Sequence, residues 1–170
     1  MPEHLDKKAL LARLVAHFKL HGMVRVHPDA TEPVARAALS ALAGLPQYEQ
    51  IWVGDSHPGA QLVLVASGER LPGVEFARRV DLVAQRADAL RERVKGPVQA
   101  LQLALYDRKV PAQELDFVLS RARSGAFFPF ARGKVATWVF AMAEPALHAK
   151  RFRGWAPALS APELRKLLEP

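Results

Sequence analysis

Three stretches of this 170-residue chain gather side chains capable of chemistry, and they differ in how complete a set each offers. His17 and His21 stand four residues apart, about one helical turn, and His27 follows soon after. Two histidines at that spacing can share a metal ion, but the acid of a His-Glu-x-x-His site is missing, because residues 12–19 contain no carboxylate. The histidines therefore read as surface or half-buried side chains, and no metal site is expected. Asp55, Ser56 and His57 are all residue types found in hydrolases, yet they are consecutive. A nucleophile, its base and the group that orients the base must converge from separate segments. Consecutive residues instead read as a turn whose Asp and Ser bond to their own backbone. Phosphate cradles of the G-x-G-x-x-G or G-x-x-x-x-G-K-[ST] type do not occur. The expectation is a non-enzymatic chain with no catalytic residues and no cofactor.

The third stretch is of another kind. Arg121, Arg123, Arg132 and Lys134 enclose Phe127, Phe128 and Phe130, and Lys150, Arg151 and Arg153 then gather around Phe152 and Trp155. Cations neutralise phosphates, and exposed rings stack on unpaired bases for roughly 1–3 kcal/mol each. Arginine suits both tasks, being bidentate to phosphate and flat enough to stack. The charge of the whole chain leans the same way. Residues 1–120 hold 15 Lys/Arg against 14 Asp/Glu, whereas 121–170 hold 9 against 3, so most of the net +7 lies in the last 50 residues. Such asymmetry points to an anionic partner. The pattern predicts binding of DNA or RNA, single strands included. Arg121, Arg123, Arg132, Lys134, Lys150, Arg151 and Arg153 would take phosphates, and Phe128, Phe130 and Trp155 would stack on bases. The alternative is a protein–protein adaptor that inserts Phe127–Phe130 into its partner, with the cations as a polar rim.

Periodicity supplies the elements that must position these residues. Leu11, Leu14, Val15 and Phe18 have helical spacing between an Asp6 cap and a Gly22 stop. Met23–His27 alternates as a short strand, and Thr31-Glu32-Pro33 opens a second helix that ends at Gly44. Residues 51–53 and 61–66 read as two strands joined by the Asp55–Gly59 turn. The longest helix spans about Val74–Lys95 and is stopped by Gly96-Pro97. Its outward charges are mixed, with Glu75 and Asp88 at pairing distance in sequence from Arg79 and Arg91, which describes a solvated face rather than one that reads a groove. Val98–Tyr106 predicts a strand, Pro111–Arg123 a helix, Lys134–Ala143 a buried strand and Pro145–Arg153 a short helix or turn. Ser160 and Glu163 have the spacing of a capping box for a last helix. No repeat or linker divides the chain. The reading is a single mixed α/β domain over 1–170, a central sheet of about five strands flanked by helices. Residues 1–110 form a neutral core, and 111–170 a basic, aromatic-rich C-terminal part.

From residue 5 to 106 the order is helix, strand, helix, strand, strand, helix, strand. Without the second helix it resembles the core of the restriction-endonuclease-like superfamily. That resemblance implies an acidic metal ligand on the second strand, which Asp55 could supply, and an acid-x-lysine on the third. The third strand departs from the pattern, because Gln61-Leu62-Val63-Leu64-Val65 holds neither carboxylate nor lysine. Magnesium-dependent cleavage needs several charged oxygen ligands. The resemblance then implies a degenerate scaffold domain without nuclease activity.

Composition adds further expectations. No run of 18 apolar residues occurs and residues 1–8 lack a signal-peptide core, so no membrane span and a cytoplasmic location are expected. Cysteine and asparagine are absent and prolines number thirteen. That balance predicts a thermostable chain melting above the roughly 45–65 °C of mesophile domains.

Overall fold

Gln61–Val65 and Leu101–Leu105 show little polar–apolar alternation, as strands do when both of their faces are covered. The computed structural model describes residues 6–45, 48–55, 59–68, 73–107, 109–120, 123–124, 133–149 and 157–169, and in it helices cover both faces of one mixed sheet. The element order is α1 (Lys7–Leu20), β1 (Val24–Arg25), α2 (Pro33–Ala41), β2 (Gln50–Gly54), β3 (Ala60–Gly68), α3 (Gly73–Val94) and β4 (Val98–Tyr106). It continues with α4 (Ala112–Ser120), β5 (Arg123–Ser124), β6 (Gly133–Ala141), β7 (Ala146–His148), a 3-10 turn (Pro157–Leu159) and α5 (Ala161–Leu168). The chain has an α/β fold.

Strands run in the order β1-β2-β3-β4-β6-β5, with β7 also paired to β6. β1, β2 and β3 form an antiparallel meander, while β3, β4 and β6 are mutually parallel. The register sets Ala60 beside Val98 and Val98 beside Gly133, so the three parallel strands begin on one line. Among the described residues the sheet has seven strands, where about five were expected. The additional members are short: β5 pairs antiparallel with the start of β6, and β7 with its end. Two corrections to the sequence reading follow. The helix predicted to reach Arg123 is α4, which ends at Ser120, with Arg123 in β5, and the short helix or turn predicted over Pro145–Arg153 begins as a turn that leads into strand β7.

Two apolar layers form as the strands expose alternate residues to opposite faces. Trp52, Val63, Val65, Leu101, Leu103, Trp138 and Phe140 meet Leu10, Leu14 and Phe18 of α1 and Leu164 and Leu168 of α5. On the other face Leu62, Leu64, Ala100 and Val135 meet α2 and α3, and Val139 and Ala141 join Val118 of α4. α1 begins as predicted, with the Asp6 carboxylate accepting the Lys8 N–H at 3.1 Å. Its buried stripe is rotated from the predicted one, toward Leu10, Leu14 and Phe18, with Leu11 and Val15 at the margin. Ser160 does occupy the N-cap of α5, but its hydroxyl makes no capping bond.

Candidate nucleic-acid interface

Only part of the predicted basic surface falls within the described residues. Arg121, Phe127, Phe128, Phe130, Arg132, Lys150, Arg151, Arg153 and Trp155 lie outside them. Arg123 and Lys134 are described through their backbones. β5 pairs with β6 so that Arg123 is opposite Val135 and Ser124 opposite Lys134. The two cationic positions thus sit on neighbouring strands, offset by one residue of register, and alternate across the pleat. Residues 125–132 are the connection between those strands. β6 starts on the same line as β3 and β4, beside the Lys95–Pro97 turn that leads into β4.

The other candidate groups can be followed in detail. His17 is buried against the 3-10 turn, with its Nε2 2.9 Å from the Ala158 carbonyl, and the His21 ring centroid is 4.6 Å from its own. Burial holds the His17 imidazole below its usual range, the neighbouring His21 adds to that, and the Ala158 bond and Glu163 oppose it. Among the described residues no three His, Asp or Glu side chains converge as a metal site. Asp55 is exposed just beyond β2, while Ser56 and His57 lie outside the described residues. Gln61–Val65 of β3 are buried and bring no charged group toward Asp55.

The structure also discloses polar chemistry that periodicity does not announce. Gln102, in the middle of β4, is fully buried between Leu64 of β3 and Thr137 of β6. Its Oε1 accepts from the Tyr48 hydroxyl at 2.7 Å and its Nε2 donates to Thr137 Oγ1 at 3.1 Å. Burial pushes the Tyr48 phenol up to about 12, with Arg79 opposing the shift by charge and by a hydrogen bond. Burial also raises the Tyr106 phenol, helped by the Glu114 carboxylate that hydrogen-bonds it. A tyrosine held neutral can donate a hydrogen bond, as the Tyr48 hydroxyl does to Gln102. The signal for it was faint: Gln99 and Gln102 are the polar residues in an otherwise apolar strand.

Comparison of the chain with protein-family models, with curated proteins and with solved structures finds no match.

Proposed function

We propose that this chain is a non-enzymatic nucleic-acid-binding protein of the cytoplasm, and that the basic, aromatic-rich stretch 121–155 is its binding surface. The concentration of charge carries this reading: residues 121–170 hold 9 Lys/Arg against 3 Asp/Glu. The β5–β6 pairing puts cationic positions 123 and 134 on adjacent strands, one residue apart in register and so on opposite faces of the sheet, and Arg132 lies in the connection between those strands. Arg121, Arg123, Arg132, Lys134, Lys150, Arg151 and Arg153 neutralise phosphates, and Phe128, Phe130 and Trp155 stack on unpaired bases. Among the described residues no helix is long and apolar enough to cross a membrane.

A second reading, a degenerate scaffold resembling the restriction-endonuclease-like core, is favoured by the element order from α1 to β4 and by the absence of charge on Gln61–Val65. It expects assembly with a protein partner and no cleavage of DNA.

The test is a titration of fluorescent single- and double-stranded oligonucleotides across a salt series. Four or five phosphate contacts give a slope of log affinity against log salt of about −3 to −4. Replacing Arg132 and Lys134 with alanine flattens it by between about one and two units. Phe128→Ala or Phe130→Ala weakens single strands more than duplex, because only unpaired bases offer a free face. No binding at about 50 mM salt, where contacts to phosphate are strong, refutes the reading.

A further inference from the structure

A cleft of about 540 Å³ opens at the line where the parallel strands begin, well within the size range of small-molecule sites. One wall is the first turn of α2, with Pro33, Val34 and Ala37. The opposite wall is the end of α3, where Arg93 and Lys95 flank Val94, and Asp55 and Gly59 stand at the two ends of the β2–β3 connection. Arg93, Lys95 and Asp55 are exposed, and among the described residues none is ion-paired with another group. Opposite charges thus line one cleft without closing on each other.

Two details describe how the turn after α3 is built at this end of the sheet. The Ala60 N–H donates to the Pro97 carbonyl at 2.9 Å, and a Cβ on Gly59 would run into that same carbonyl, so the hairpin end and the turn after α3 are locked together. Lys95 has φ of +54°, and among the described residues it alone is a non-glycine in the left-handed region. Glycine would occupy that backbone at lower cost, and Gly96 is the next residue. Lys95 directly follows the last residue of α3 and its N–H donates to the Arg91 carbonyl at 2.8 Å, the left-handed cap that commonly ends a helix, and the same residue lines the cleft.

We propose that this cleft binds a nucleotide, with its phosphate between Lys95 and Arg93 and its base against the apolar turn of α2, the Asp55 carboxylate accepting hydrogen bonds from the base edge. The lining argues against a bare inorganic anion, which Asp55 would repel. It calls for a ligand with negative charge at one end, donors at the other and a flat apolar body between. Guanine fits best, since its N1–H and N2–H lie side by side and a carboxylate can accept both; adenine offers one donor beside an acceptor. The site does not depend on residues 121–155, and it holds whether the nucleotide is free or ends a strand.

The full chain is titrated with GMP, AMP and ribose 5-phosphate while amide shifts are followed by NMR. GMP binds at about 1 mM or tighter, and AMP and ribose 5-phosphate about tenfold more weakly. Lys95→Gly removes the ammonium while relieving the backbone, so it folds, and it weakens GMP binding about tenfold. Asp55→Asn brings GMP and AMP to similar affinity. A 5′-phosphorylated trinucleotide beginning with G separates the two sources: if Lys95→Gly weakens its capture and it binds more tightly than GMP, strand ends are the ligand, and otherwise the free nucleotide is. The proposal is overturned if GMP causes no shifts, if ribose 5-phosphate binds as well as GMP, or if Lys95→Gly binds like the parent. Loss of oligonucleotide binding in the Arg132/Lys134 variants leaves it untouched.

Discussion

Gln102→Leu isolates the buried polar seam, because leucine keeps close to the volume while removing both hydrogen-bonding ends. The bond from the Tyr48 hydroxyl at 2.7 Å and the bond to Thr137 Oγ1 at 3.1 Å both disappear. Tyr48 is only half-buried and is also bonded to Arg79, so it loses least. Thr137 is buried, and taking away its donor leaves its oxygen bearing a desolvation cost of about 1–3 kcal/mol. Adding about 1 kcal/mol for the Tyr48 bond and subtracting a similar gain from the apolar leucine gives a loss near 2 kcal/mol. For a chain of this size that lowers Tm by roughly 4–8 °C. The sharper test is the double-mutant cycle with Thr137→Val. Alone, that change removes the acceptor of the Gln102 Nε2–Thr137 Oγ1 bond and costs about 1 kcal/mol, whereas on top of Gln102→Leu that bond is already gone and the change costs nothing or recovers stability. Urea unfolding followed by circular dichroism gives all four corners, with an unchanged m-value showing that the transition remains two-state. If the two losses simply add, Gln102 and Thr137 are not coupled and the reasoning fails.

Three further outcomes follow from single sites. Because burial lowers the His17 pKa from its ordinary 6.5, the folded chain takes up that proton less readily than the unfolded one; stability is flat above about pH 6.5 and falls as pH drops toward the lowered value, a slope that His17→Gln reduces in melts between pH 7.5 and 5. Lys95→Gly raises stability by about 1 kcal/mol, since glycine adopts the +54° backbone without strain, and a lower Cm in urea refutes that account. Gly59→Ala sets a Cβ against the Pro97 carbonyl and costs roughly 1–3 kcal/mol, read as a fall in Tm; an unchanged Tm means the hairpin end is not locked to the turn after α3.

What the residues declare by themselves are features coded over short distances. Gly96-Pro97 closes α3 just after its last residue, Val94, because a residue without a Cβ and a ring without an N–H do not carry a helix onward. The doubly apolar runs 61–66 and 98–106 announce covered strands, and the +6 imbalance of the last 50 residues needs only counting. Other features belong to pairings between distant residues, and no local rule contains them. The two-residue β5 and three-residue β7 are too short to carry a pattern of their own, and each exists as a strand because β6 offers it an edge. Gln102 looked like one polar residue in an apolar strand until the register set Thr137 beside it and the chain before β2 brought Tyr48 over it. Asp55 appeared in sequence as a turn residue or a stray metal ligand, forty positions from Lys95. They share a cleft because β3 and β4 start on one line, and that line is set by backbone hydrogen bonds common to every residue type, which is why side-chain spacing could not reveal it.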